Sequence, residues 1–273
     1  MTYIAFKRRP MCKRQSLVAL MLVASFVATL ASAKTPQERG LEIALEADRR
    51  DNGFGDSQAE MIMTLTNSHG ERAVRSLRIR TQEKSNDGNR SLIIFDSPGD
   101  IKGTAFLSFS HKVDADDQWL YLPALKRVKR ISRSNQSGPF FGSEFSYEDM
   151  SSQEPEKYTY KYIKEEIVDG RKHYILEMKP INPKSGYSRQ ITWLDTEYFR
   201  VSKIDFYDRR GSHLKTLTVS GYKQYLQKYW RAEHLLMVNH QTGKKTKLTF
   251  NDMIFRNNFS ERDFSKTALR KVR

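Results

Sequence analysis

The chain has 273 residues, with 47 basic and 32 acidic side chains, a formal net charge of +15 and a single cysteine. That cysteine, Cys12, lies ahead of an apolar run near the N-terminus, so the residues beyond the run offer no thiolate nucleophile, no cysteine-ligated metal and no disulfide framework. The basic excess points to an anionic surface as partner, or to simple solubility.

Residues 1–33 read as a secretory leader. Lys7, Arg8, Arg9, Lys13 and Arg14 stand without an acid, the apolar run SLVALMLVASFVATL follows, and Ala31-Ser32-Ala33 supplies a small-x-small cleavage pattern. The run is shorter than the ~20 apolar residues that span a bilayer. Cleavage after Ala33 and ordinary export are expected, since Arg8-Arg9 lacks the rest of a twin-arginine pattern. A lipoprotein anchor is not expected, because no cysteine closes the run. Losing five bases and no acid lowers the net charge to +10. Export makes nucleic acid the wrong partner, whereas anionic headgroups attract basic patches across about a Debye length.

Residues 34–273 are expected to form one domain. Thr35-Pro36-Gln37-Glu38 predicts a capped helix start, with Leu41, Ala44 and Leu45 as its apolar stripe and Arg49-Arg50 at its C-terminal end. After Asn52-Gly53 the pattern turns to alternation: Met61, Met63 and Leu65 share one face of a strand. SLIIFD, TAFLSFSH, QWLYLP and LKRVKRI follow as strands, and KYTYKYIKEEIV and RKHYILEMKP form a hairpin about Asp169-Gly170. RQITWLD, RVSKIDFYD, LKTLTVSGY, EHLLMVNHQ and KKTKLTFNDMIF continue a long antiparallel meander. LIIF, AFLSF and WLYL are apolar on both faces, which requires either cover on both sides or a hydrophobic cavity on one. One connection is long: residues 132–156, containing GPFFGSEFSYEDM.

Motifs for catalysis and cofactors are missing. Gly142-Ser143-Glu144 lacks the second glycine of a nucleophile elbow. Gly243-Lys244-Lys245-Thr246 lacks the rest of a phosphate loop, and Gly53-Phe54-Gly55 the third glycine of a dinucleotide fingerprint. The six histidines, His69, His111, His173, His213, His234 and His240, form no metal-binding helix motif. No metal, cofactor or catalytic residue is assigned. A lipid-acting hydrolase using Ser143 remains the second reading.

The block DDQWLYLPALKRVKRISRSNQSGPFFGSEFSYEDM, residues 116–150, closely resembles the outer-membrane lipoprotein-sorting family of periplasmic, LolA-like carriers. RSLIIFDSPGDIKGTAFL before it and VDGRKHYILE, YSRQITWLD and FYDRRGSHLKTL after it extend the likeness over roughly residues 58–270. The resemblance implies a mainly β (α+β) fold: a curved antiparallel sheet forming an incomplete barrel, its concave face covered by the N-terminal helix and the central loop. It implies a non-enzymatic carrier of a lipid or lipoprotein acyl chain, or of another hydrophobic molecule, moving between envelope membranes with a membrane surface or envelope transporter as partner; a monomer is expected. Phe95, Phe106, Phe109, Trp119 and Tyr121 are the candidate cavity lining. Phe140, Phe141, Phe145 and Tyr147 are the candidate underside of a lid, with a fixed plug as the alternative. Lys126, Arg127, Lys129 and Arg130 form a candidate basic patch. The loop acids Glu144, Glu148 and Asp149 are expected to face water or to pair with that patch and Arg133.

Overall fold

The computed structural model describes residues 1–3 and 33–271, so the expected leader falls almost wholly outside the described residues. Helix α1 (Pro36–Asp51) begins as its sequence requires: the Glu38 amide donates to Thr35 Oγ1 at 3.2 Å, and the Thr35 amide donates to Glu38 Oε2 at 2.8 Å. Its buried face differs from the expected stripe. Gly40 and Ile43 are buried, Ala44 and Ala47 pack beside them, and Leu41 and Leu45 are left exposed. The cause is close approach: a Cβ on Gly40 would stand 2.7 Å from the Tyr162 backbone nitrogen, so the helix seats its small residues on the sheet and turns its leucines away.

Thirteen strands follow: β1 (Asp56–Thr66), β2 (Arg72–Gln82), β3 (Arg90–Ser97), β4 (Ala105–Phe109), β5 (Asp117–Leu122), β6 (Arg127–Arg130), β7 (Tyr158–Val168), β8 (Arg171–Pro180), β9 (Tyr187–Asp195), β10 (Val201–Asp208), β11 (His213–Tyr225), β12 (Tyr229–Asn239) and β13 (Lys245–Phe255). All pair antiparallel in one sheet of order β6-β5-β4-β3-β2-β1-β13-β12-β11-β10-β9-β8-β7. Asp169-Gly170, both at positive φ, makes the β7–β8 hairpin as expected. The single meander of the sequence pattern is instead two meanders running outward from a central seam, where β1 pairs with β13. The last strand of the first, β6, and the first strand of the second, β7, form opposite edges of the sheet. The chain must therefore cross from edge to edge, which is why one connection is long.

The sheet curls without closing into a barrel. Phe95 on β3 and Phe206 on β10 belong to one core, although six strand spacings separate them, roughly 29 Å in a flat sheet. That inner-face core holds Met61, Met63, Leu77, Phe95, Phe106, Leu217, Met237 and Leu248, together with Phe140 and Phe145 of the crossing loop. The outer face of β3–β5 carries a second core of Leu92, Ile94, Ala105, Leu107 and Trp119. Phe264 and Leu269, on the closing segment that ends in α2 (Lys266–Lys271), cover it. These strands are apolar on both sides because both sides are covered.

Candidate functional site

Two features share the inner face: the crossing loop and an open cleft. The loop turns back on itself. The Phe140 amide donates to Phe145 O at 2.7 Å, the Tyr147 amide to Gly138 O at 3.0 Å and the Glu148 amide to Gln136 O at 2.8 Å. Phe140 and Phe145 are buried; Phe141 and Tyr147 are half-buried. Of the five sequence-selected lining residues, Phe95 and Phe106 meet this loop. Phe95 lies 4.6 Å from the Phe141 ring, and Phe106 lies 5.3 Å from Phe140 and 5.7 Å from Tyr147. Phe109, Trp119 and Tyr121 are on the other side of the sheet. Their odd positions on β4 and β5 turn them outward, against Phe264 and Leu269.

The acids of the loop do not pair with the basic strand. Asp149 Oδ2 accepts from Lys215 Nζ at 2.7 Å and from the Ser146 amide at 2.7 Å, and the Tyr187 hydroxyl donates to its Oδ1 at 2.8 Å. Glu148 Oε2 accepts from the Gly186 amide at 2.9 Å, and its other oxygen accepts from Ser185 Oγ. Glu144 Oε2 accepts from Asn239 Nδ2 at 2.6 Å. Burial pushes the Glu148 carboxyl up, against the hydrogen bonds from Ser185 and Gly186 that lower it. On the opposite side Gln118 Nε2 donates to Tyr147 O at 2.8 Å, and Ser108 Oγ and Ser151 Oγ lie 3.1 Å apart. The loop is a strap fastened to β4–β5 on one side and to β9, β11 and β12 on the other. Ser143, the nucleophile of the hydrolase reading, is buried, and among the described residues its Oγ bonds only the Phe145 backbone.

Lys126, Arg127, Lys129 and Arg130 are exposed along edge strand β6, where Arg130 pairs with Asp117. Positive charge on an open edge also discourages pairing with another sheet.

Sequence reasoning missed the cleft itself. Its volume is about 770 Å³, and it lies between α1 and the inner face of β8–β12. Ala44 and Ala47 line it from the helix, Leu176, Met178, Leu194, Val201, Val219 and Leu235 from the strands, and Gln153 and Pro155 from the end of the strap. It opens between two cores: α1 packs on Leu176, Met178 and Leu194, the strap packs in the inner-face core that reaches from Phe95 and Phe106 to Phe206, Leu217 and Met237, and Val201 borders both. Arg200 lines it with a side chain only 9% exposed, its guanidinium 4.6 Å from the Tyr198 ring centroid, 5.1 Å from Tyr222 and 4.5 Å from Trp230. Volume and apolar lining fit a site for a small hydrophobic molecule.

A Vibrio parahaemolyticus domain assigned to outer membrane lipoprotein sorting is 53% identical over 86% of this chain and 99% of its own, with a TM-score of 0.84. This chain belongs to the outer membrane lipoprotein-sorting protein family. A family profile described only as "Uncharacterized protein" matches residues 87–271. A DUF1329 family protein from Desulfovibrio piger is 29% identical over 86% of this chain and 100% of its own, with a TM-score of 0.82. A LolA superfamily protein from Nitrosomonas europaea shares the fold at 20% identity, with a TM-score of 0.68 over 86% of this chain and 100% of its own. No curated protein matches the sequence. In this lipoprotein-sorting fold the strap and α1 divide the inner face between them, one filling its half and the other roofing a space.

Proposed function

We propose that this protein is a periplasmic carrier that holds the acyl chain of a lipid or lipoprotein in the cleft beneath α1 and moves it between envelope membranes, with an envelope transporter as partner. The observation that carries this reading is the cleft: an apolar space of about 770 Å³, open to the outside and roofed by a helix. Each methylene taken into it contributes about 0.8 kcal/mol, so a chain of ten supplies about 8 kcal/mol before the costs of association are met. The aromatic loop is proposed as the lid for cargo longer than the cleft, because Val201, Val219 and Leu235 line the cleft and also pack against the core that the loop fills. The basic edge is proposed to dock on anionic headgroups. Protein isolated gently from its native envelope should release an apolar ligand on solvent extraction, identified by mass spectrometry. Ala47→Trp, which places an indole in the cleft, should abolish that ligand while preserving the far-ultraviolet spectrum. A wild type that carries no apolar ligand and takes up no fluorescent fatty acid would overturn the proposal.

A further inference from the structure

The least exposed cation lining the cleft is only half satisfied. The Arg200 side chain is 9% exposed, and its Nε donates to Asp195 Oδ2 at 2.8 Å. Asp195 is fully engaged, accepting also the Arg200 amide at 3.2 Å and, on Oδ1, the Tyr198 amide at 2.6 Å. Both Nη groups of Arg200 are left without a protein acceptor among the described residues, yet neither is sealed away from solvent. The rings of Tyr198, Tyr222 and Trp230 hold the guanidinium by cation–π contact and offer no acceptor for its in-plane N–H groups. A guanidinium held on one side by Asp195 and lining the cleft with two unpaired Nη groups matches a two-oxygen anion.

Resting on the carrier reading, we propose that Arg200 receives the acidic head of an amphiphilic cargo, a carboxylate or a phosphate, while the chain lies along Leu176, Met178, Leu194, Val219 and Leu235. Asp195 balances the guanidinium charge, so the head is selected by paired hydrogen bonds on a largely buried guanidinium rather than by net attraction. The rim favours the same sign. Arg49, Arg50, Lys228 and Arg231 line it against Asp48 and Asp51. Most of these are engaged: Glu46 holds Arg49 and Arg50, Asp51 holds Arg231, and Lys228 donates to Asn52 O at 3.0 Å. Arg200, 9% exposed against 18% for Arg231, is the least exposed of these cations, and both of its Nη groups have no protein acceptor among the described residues.

The test is calorimetric titration of delipidated full-length mature protein at pH 8 with oleate, methyl oleate and oleoyl lysophosphatidate. Wild type should bind oleate and the lysophosphatidate about tenfold more tightly than the ester, the factor expected of a charge-assisted hydrogen bond. Arg200→Gln, and Asp195→Asn with Arg200→Gln in case the single variant leaves an unpaired buried carboxylate, should bind acid and ester alike. Equal binding of oleate and methyl oleate by wild type, a comparison that needs no variant to fold, overturns the assignment and leaves the carrier reading standing. Binding of none of the three overturns both. Displacement of oleate by millimolar inorganic phosphate would give the site to the free anion and also overturns the assignment.

Discussion

Replacing Lys215 by methionine removes the cation that fastens the strap to β11. The Lys215 and Asp149 side chains are 4% and 9% exposed, and Lys215 Nζ also donates to Glu144 O at 2.8 Å. Deleting one partner of a buried pair costs about 3–5 kcal/mol because the other charge stays behind. Asp149 keeps the Tyr187 hydroxyl and the Ser146 amide, and methionine fills most of the volume of the lysine stem, so the loss should fall near the lower end, about 3 kcal/mol. Urea titration followed by far-ultraviolet circular dichroism measures it. Lys215→Met with Asp149→Leu leaves no orphan charge and should recover part of the loss. Hydrogen exchange at the amides of residues 138–150 should speed up in the single variant before the sheet is affected. A loss under about 1 kcal/mol, the value of a solvated pair, or a double variant no better than the single, would refute the view that a desolvated ion pair holds the strap.

Three further outcomes are expected. Glu148 has its carboxyl pushed above the ordinary 4.5 by burial. The folded state then holds its proton more tightly than the unfolded state, and this group's favourable contribution is present below pH 4.5 and lost as pH rises through the raised value. Glu148→Gln should therefore gain stability relative to wild type between pH 4 and pH 7 in urea titrations, and a constant difference would exclude the linkage. Gly40→Ala should lower the melting temperature despite a gain in helix propensity of about 1 kcal/mol, because the new methyl would meet the β7 backbone at 2.7 Å; a rise in melting temperature would show that α1 can lift. Arg127→Glu with Lys129→Glu should weaken salt-sensitive binding to anionic vesicles while circular dichroism is unchanged, and unaltered binding would leave the β6 charges a role only in guarding the edge.

The strands were legible because their alternation is local: Met61 and Met63 sit on the inner face as their spacing implies, and Asp169-Gly170 turns where it should. Burial of LIIF and AFLSF on both faces was legible as a need for cover. The identity of the outer cover was not, since the segment that supplies it offers little beyond Phe264 and Leu269 as apolar signal. The helix face was misread because Leu41 and Leu45 carry more hydrophobicity than Gly40 and Ala47. Backbone proximity, which decided the matter, leaves no mark on a periodicity. The partners of the loop acids lie at the start of β9 and on β11 and β12, and no sequence spacing relates Asp149 to Lys215 or Glu144 to Asn239. The cleft is a gap between two packed clusters rather than a property of any segment, so the aromatic residues of the first half drew attention away from Leu176, Val219 and Arg200.

The seam between β1 and β13 sets an order of assembly. Met61 pairs with Phe250 and Met63 with Leu248, so the first strand made lies beside the last. A nascent chain can form β1–β6 from neighbouring hairpins, but the open side of β1 has no partner until β13 has emerged. Until then the first half presents an unpaired edge, with Met61, Met63, Leu77 and Phe95 bare along its inner face. The slow step of folding is thus expected to be closure of this most non-local pairing, and a chain truncated before β13 should aggregate through β1 rather than fold as a smaller sheet.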